Sequence, residues 1–347
     1  MTIRIGIDAM GGDHAPEAVV KGAVEALSMI SADLVLIGME DQIKAQLASL
    51  KYDANRLIIH HASEVIENED KPVRAIKSKK DASMVVGFEM LKNGQIDALL
   101  SAGNTGALLA GGLLKVGRIK GLDRPALCLP YPTSKGFSVL IDAGSNADCK
   151  PHNLYEFAVM GTIYARDVLG IENPTVGIAN IGIEEGKGNI LVVDAYPILK
   201  ASDLNFIGNI EARDIPDGVC DVIVCDGFTG NIILKLSEGV ASSFSGMLKA
   251  QLMKTKKNML LGLLLKGVFT ELKKKMDYTE YGGAPFLGTE GLIVKAHGSS
   301  NAKAIKNAIR YAEVCVKSQV VERIREELGR KDLEAARLSS APESQES

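Results

Sequence analysis

Tryptophan is absent from this 347-residue chain, and aromatic residues make up only 5 % of it. Cysteine is scarce: five residues, at 128, 149, 220, 225 and 315, an odd number with no CxxC pair. That pattern fits a reducing compartment and excludes a disulfide scaffold. No uninterrupted apolar run approaches the ~20 residues that span a bilayer, and the Met-Thr-Ile-Arg start is charged too soon for a signal peptide. Neither charge sign is in excess, since 40 Lys+Arg against 43 Asp+Glu leave −3. A basic coat for nucleic acid is thereby excluded. With 46 % hydrophobic and 24 % charged residues, disorder over most of the chain is excluded too. What remains is a soluble cytoplasmic protein, large enough to bury its own core without a metal or disulfide staple.

Glycine is the abundant residue, at 35 positions, where a usual share of about 7 % would supply fewer. Many glycines with few aromatics suggest tight loops and close backbone approaches, the habit of proteins that grip small anions. The chain alternates short β-branched runs with Gly-rich turns and helical stretches. Runs at 3–9, 34–37, 57–59, 96–100, 138–142, 175–180, 205–207 and 221–225 predict strands. The alternation predicts a three-layer α/β/α fold with a mostly parallel sheet, forming one domain over 1–330. Apolar residues at 305, 309, 312, 316, 320 and 324 predict a single helix from Asn301 to Leu328. The polar residues 339–347 predict a disordered tail.

Ligands of open parallel sheets bind beyond the carboxyl ends of strands. Six loops expected on that rim join Gly to small polar residues: 8–14, 101–106, 142–146, 180–189, 226–231 and 295–301. Backbone N–H groups freed by Gly, together with helix amino termini, suit a phosphate-type ligand. The candidate binding residues are therefore Gly11, Gly12, Asp13, Gly103, Asn104, Thr105, Asn146, Asn189, Thr229, Gly230 and His297. There is no GxxxxGK[ST], no complete GxGxxG and no GxSxG, so P-loop, dinucleotide and serine-hydrolase chemistries lack their motifs. Lys187, between two glycines, is either a solvated loop lysine or an ammonium that reaches a bound anion. Thr229 and Asn231 are either helix caps or ligands of a carbonyl or phosphate oxygen. His14 and His297 are either surface groups or proton carriers. Asp8, Asp142 and Asp226 all end strands, but no His/Cys spacing supports a metal, and none is expected. The cysteines read as buried and inert.

Between 245 and 277 the pattern breaks into a Lys- and Leu-rich helical tip. Eight lysines, including Lys256 and Lys257, surround Leu260, Leu261, Leu264 and Leu265. Composition allows a core helix, a subunit contact, or a helix lying in a membrane interface with its lysines on anionic lipid.

The stretches Ile7-Asp-Ala-Met-Gly-Gly-Asp-His-Ala-Pro16, Ser101-Ala-Gly-Asn-Thr-Gly-Ala107, Gly117-Arg-Ile-Lys-Gly-Leu-Asp-Arg-Pro-Ala126, Asn209-Ile-Glu-Ala-Arg-Asp214, Asp226-Gly-Phe-Thr-Gly-Asn231 and Lys295-Ala-His-Gly-Ser-Ser300 closely resemble the PlsX family of acyl-carrier-protein:phosphate acyltransferases. The resemblance implies a fold similar to phosphate acetyltransferases and isocitrate-type dehydrogenases. It implies transfer of a fatty acyl group from acyl carrier protein to inorganic phosphate, with no cofactor. The acyl phosphate would feed the membrane glycerol-3-phosphate acyltransferase, PlsY, in phospholipid synthesis. A homodimer and peripheral docking on the inner face of an anionic membrane are implied as well, which favours the membrane reading of the tip. The family's catalytic lysine and asparagine match Lys187 and Asn231, with His14 a candidate for proton handling. Gly186 departs from the family, whose members carry a second lysine there. The carrier protein is acidic, so a basic patch at Lys115, Arg118 and Lys120, or the tip, is its expected contact. A metal- and NAD-dependent dehydrogenase of similar fold and a noncatalytic carrier-binding scaffold are the alternatives.

Overall fold

A computed structural model describes residues 2–276 and 283–340, the side chains of 272–276 and 331–340 excepted. Its strands are β1 (Arg4–Asp8), β2 (Asp33–Gly38), β3 (Leu57–His61), β4 (Ala98–Ser101), β5 (Ala126–Thr133), β6 (Gly136–Ile141), β7 (Thr175–Asn180), β8 (Asn205–Glu211), β9 (Val222–Val224), β10 (Ala284–Leu287) and β11 (Leu292–Lys295). They form one sheet in the order β3-β2-β1-β4-β11-β10-β5-β6-β9-β7-β8. The helices are α1 (Glu17–Ala26), α2 (Glu40–Leu47), α3 (Pro72–Ser78), α4 (Ser83–Lys92), α5 (Thr105–Gly111), α6 (Pro151–Asp167), α7 (Ile190–Lys200), α8 (Gly227–Leu252), α9 (Lys256–Leu264), α10 (Lys266–Met276), α11 (Ala302–Lys317) and α12 (Val320–Ser340).

One apolar cluster joins the sheet to α1, α6, α7, α11 and α12, and the other joins it to α3, α4, α5 and the first turns of α8. The fold is thus three-layered α/β/α, and covering both faces explains why strands such as Val222–Val224 are apolar at every position. Most strand pairs are parallel; β5–β6, β5–β10 and β10–β11 are antiparallel.

Those three reversals correct the expectation of a single rim. The strands β6, β7, β8 and β9 run opposite to β1, β2, β3, β4 and β11. The loops 8–14, 101–106 and 295–301 therefore leave the sheet in one direction, and 142–146, 180–189 and 226–231 in the other. The two sets still meet, because the halves are staggered. Ile141, the last residue of β6, is level with Cys128, next to Leu127, which Phe286 aligns with Ile293. Lys295 lies only two residues past Ile293, so both sets of carboxyl ends converge at mid-sheet.

Three further expectations are corrected. The helix predicted over 301–328 is broken at Gln319, whose φ of 55° is left-handed, into α11 and α12. The first turn of α8 is capped by Asp226, whose side chain accepts from the Thr229 N–H, so neither Thr229 nor Asn231 is the cap. The tip is not a core helix, since α9 buries no residue and Leu264 is 74 % exposed. Of the tail expected over 339–347, Ser339 and Ser340 close α12; residues 341–347, like residue 277 of the tip, lie outside the described residues.

Candidate active site

Each set of loops is built on a buried aspartate at a strand end. Asp8 accepts from the Ser83 and Ser101 hydroxyls and from the Met10 N–H. Burial pushes its carboxyl above the usual range, against those hydrogen bonds. A Cβ on Gly11 would stand 2.5 Å from Asp8 Oδ2 and 2.8 Å from the Gly103 nitrogen, which is why small residues recur here. The Asp13 N–H donates to the Gly298 carbonyl at 2.8 Å, joining the 8–14 loop to 295–301.

In the other half Asp142 accepts from the backbone N–H groups of Leu127, Gly144, Ser145 and Asn146 and from the Asn146 amide. Burial pushes this carboxyl up as well. The loop it ties down receives the start of α8. A Cβ on Gly230 would lie 1.9 Å from the Asp142 carbonyl oxygen, a contact with backbone that no side chain can relieve. Asn231 follows directly and packs on Gly144.

Between the halves is a cavity of about 450 Å³. Its floor is Leu127, Leu129 and Pro130 of β5, with Ala143 and Gly144 beside them. Thr105, Lys295, His297, Gly298 and Ser300 line it from the first set of loops; Asn231, Leu234, Lys235 and Glu238 line it from α8. Spacings of three and four residues put those α8 positions on one helix face. Burial, then repulsion from Lys235, lowers the Lys295 ammonium to about 8, against an opposing pull from Glu238. The same causes, with Lys295 added, hold His297 below the ordinary histidine value, so it is neutral at pH 7. Its Nδ1 accepts from the Ser299 N–H at 3.2 Å, which leaves the ring proton on Nε2. Glu238 Oε2 accepts from Lys235 at 2.8 Å, while Oε1 is buried without a partner among the described residues. This is a mostly apolar chamber with amide, imidazole and ammonium groups on its walls, suited to holding an anion beside an acyl group.

Of the expected site residues, Asn231, Thr105 and His297 line this cavity. Gly11, Gly12, Asp13 and Gly103 do not line it; they pack the first set of loops together. Asn104 spends its amide on structure: Oδ1 caps α5 and Nδ2 donates to the Glu67 and Asn68 carbonyls. Asn146 is buried against Pro125 and Asp142, and Asn189 caps α7. Thr229 donates its hydroxyl to Asp226. His14 is exposed and does not line the cavity. Lys187 is also exposed, on the loop after β7, the same rim as Asn231. That loop is held by the Asn180 amide on the Lys187 carbonyl and the Asn209 amide on the Glu184 carbonyl. Lys187 itself forms no ion pair among the described residues. Burial pushes the Cys149 and Cys220 thiols up to about 12, which leaves them unreactive. Asp8, Asp142 and Asp226 each serve their own loop, and among the described residues no three His, Cys, Asp or Glu side chains gather as a metal site.

Sequence reasoning missed Lys295, Lys235 and Glu238. Lys295 sits in a quoted motif, two residues before His297, but a strand-end lysine reads as solvated until its burial is known. The α8 pair carries no motif at all.

A family model described as "Fatty acid synthesis protein" matches residues 3–323. The chain is 56 % identical over 324 residues to the phosphate acyltransferase of Alkaliphilus oremlandii, covering 93 % of this chain and 97 % of that one. It is 54 % identical over 323 residues to the phosphate acyltransferase of Clostridioides difficile, covering 93 % and 95 %. Among solved structures, a phosphotransacetylase from Streptococcus pyogenes superposes with a TM-score of 0.62 at 17 % identity, over 92 % of this chain and 94 % of that one. A 4-hydroxythreonine-4-phosphate dehydrogenase from Klebsiella pneumoniae gives 0.53 at 15 %, over 91 % and 100 %. At such identities these two likenesses show a shared fold alone.

Proposed function

The chain belongs to the fatty acid synthesis protein family, and from that premise we propose that it is a phosphate acyltransferase that moves a fatty acyl group from acyl carrier protein to inorganic phosphate. The observation that carries this reading is the cavity, where Asn231, Lys295 and His297 converge over an apolar floor in a chain 56 % identical to a phosphate acyltransferase.

A phosphate oxygen attacks the thioester carbonyl, forming a C–O bond; the C–S bond then breaks and the carrier thiolate takes up a proton. Phosphate is itself the nucleophile, so no serine or cysteine has to be activated. The protein must hold a dianion against the carbonyl carbon and stabilise the oxyanion that forms there. Lys295 attracts the phosphate from within the cavity, and Lys187 approaches from the loop on the same rim as Asn231. The Asn231 amide donates to the carbonyl oxygen as negative charge develops on it. His297, neutral with its proton on Nε2, can pass that proton to the departing sulfur and regain one from phosphate.

The product is a mixed anhydride suited to glycerol-3-phosphate acylation by PlsY, which places the reaction in phospholipid synthesis. Among the described residues no helix is long and apolar enough to cross a membrane. The tip formed by α9 and α10 would instead rest on the inner face of an anionic membrane. α8 buries only Gly227 and Gly230 and exposes Phe228, Ile232, Leu236, Val240 and Phe244 at four-residue steps, as a homodimer contact would require.

The test incubates the purified chain with palmitoyl-carrier protein and phosphate, without metal or nucleotide, and traps acyl phosphate with hydroxylamine. Phosphate-dependent hydroxamate is expected. Lys187→Ala and Asn231→Ala should each lower kcat/KM by about 10²–10³-fold with unchanged melting temperature. Absence of product from wild-type protein refutes the activity, and near-normal turnover of a variant removes that residue from the mechanism.

A further inference from the structure

Of the basic patch expected at Lys115, Arg118 and Lys120, two members are paired, Lys115 with Glu89 at 2.9 Å and Arg118 with Asp123 at 3.6 Å, which leaves Lys120 as its one cation without an ion pair among the described residues. A different surface carries unpaired cations. Along α3 runs a shallow groove of about 730 Å³, lined by Lys71, Pro72, Val73, Arg74, Lys77 and Ser78. Lys71, Arg74 and Lys77 are exposed, and none takes part in an ion pair among the described residues. No acidic residue lines the groove. Of the acidic turn just before it, Asp70 is paired with Lys79 at 2.5 Å, while Glu67 and Glu69 are exposed and do not line the groove. Val73, 50 % exposed, supplies an apolar centre between the cations.

The groove adjoins the cavity. A Cβ on Gly106 would stand 2.7 Å from Pro72 Cγ, so α3 packs directly on the first turn of α5. Thr105, the preceding residue, lines the cavity wall. Asn104 fixes that turn to the chain just before α3 through the Glu67 and Asn68 carbonyls. A partner seated on α3 is therefore separated from the cavity by a single held turn.

We propose that the α3 groove is the docking surface for the acidic carrier protein, with Lys71, Arg74 and Lys77 pairing with its carboxylates and Val73 covered by an apolar side chain between them. The proposal rests on the acyl transfer proposed above. Its physical basis is charge complementarity: an acid-free cationic strip on a chain whose net charge is −3, beside the chamber the acyl group must enter. The charges steer encounter and orient the carrier, and the tethered thioester reaches past Thr105.

The test is the triple variant Lys71→Glu/Arg74→Glu/Lys77→Glu in the full chain, with Arg74→Glu alone as the milder version should the triple variant lose its fold. Affinity for fluorescently labelled acyl-carrier protein is measured directly and across a sodium chloride series. KM is measured with acyl-carrier protein and, separately, with an acyl-pantetheine thioester that lacks the protein. The expected result is carrier affinity weakened by about tenfold or more, with the wild type's salt dependence lost. KM for acyl-carrier protein should rise in parallel, while both parameters for the pantetheine thioester stay unchanged. Equal carrier affinity in wild type and variant overturns the proposal. So does a variant that keeps carrier affinity but loses flotation on phosphatidylglycerol vesicles, which would assign the cations to lipid. If wild-type protein makes no acyl phosphate even from the pantetheine thioester, it is the proposed transfer that fails; the carrier affinities still decide the docking surface.

Discussion

Lys295 shows how far a residue's chemistry depends on what surrounds it. In sequence it ends a four-residue strand; in the fold it is enclosed by α8 and the cavity wall, facing Lys235, Glu238 and His297. With its ammonium lowered to about 8, the charge is present at pH 7 and lost as pH rises through that value. A bound phosphate dianion favours the charged form and so raises the lysine's pKa in the complex. By linkage, affinity for phosphate, counted per dianion, should hold steady below pH 7 and weaken above pH 8. Lys295→Met should raise the phosphate KM about 10–100-fold at pH 7, in keeping with the loss of a charge-assisted hydrogen bond, and should flatten the pH dependence. KM for phosphate from pH 6.5 to 9 in both proteins checks this; superimposable curves would put the amine outside the site. The motif loops themselves were legible in the sequence, because Gly next to a small polar residue at a strand end has few other uses. Which side chains face the ligand was not. Asn104, Asn146 and Asn189 have the same chemistry as Asn231, and only the fold shows that theirs is engaged by caps and carbonyls.

At the scale of elements, the parallel strands were legible because burial on both faces makes them continuous apolar runs. β5 was missed because Pro130 and Pro132 lie within it. Both fall beyond Ala126 and Leu127, the residues paired with β10, where β5 has β6 as its one neighbour. Proline is tolerated on such a stretch, since its missing donor faces no partner. β10 and β11 were missed because four residues are too few to show a period. The break at Gln319 carries no Gly or Pro, and the apolar stripe continues across it. The tip's helical character was legible, but its burial was not. With Leu260, Leu261 and Leu264 at 60, 47 and 74 % exposure, much of their apolar surface is uncovered among the described residues, and the proposed membrane contact would take it out of water. Replacing all three with Glu should abolish flotation on anionic liposomes while leaving turnover of acyl-carrier protein in solution intact. A variant that still floats would remove the tip from membrane contact; one that changes its oligomeric state would assign those leucines to a subunit interface.

The whole molecule is two oppositely directed half-sheets made into one. A sequence of βα units cannot reveal that reversal, which falls at the β5–β6 pairing, nor the joining strands β10 and β11, whose two antiparallel pairings cancel. These strands come from beyond α10 yet insert between β4 and β5, so the chain's last third bridges its first two. The join extends through the core. One apolar cluster contains Ile5, Leu34 and Ile309 from the first half together with Val139, Val222 and Phe157 from the second. The other unites Phe88 and Leu99 with Leu140 and Ile223. If either half melted alone, it would expose the faces of β5 and β10 and cut both clusters, at roughly 1.5–3 kcal/mol for each large side chain returned to water. We therefore expect 1–330 to unfold as a single unit, despite a length at which many chains divide. In calorimetry this predicts one endotherm, with the van't Hoff enthalpy per protomer equal to the calorimetric enthalpy. Phosphate should raise its midpoint in wild-type protein but much less in Lys295→Met, because only ligand held by the native cavity shifts the equilibrium. Two resolved endotherms, with phosphate moving just one of them, would show that the halves are separate domains and that the anion is held by one alone.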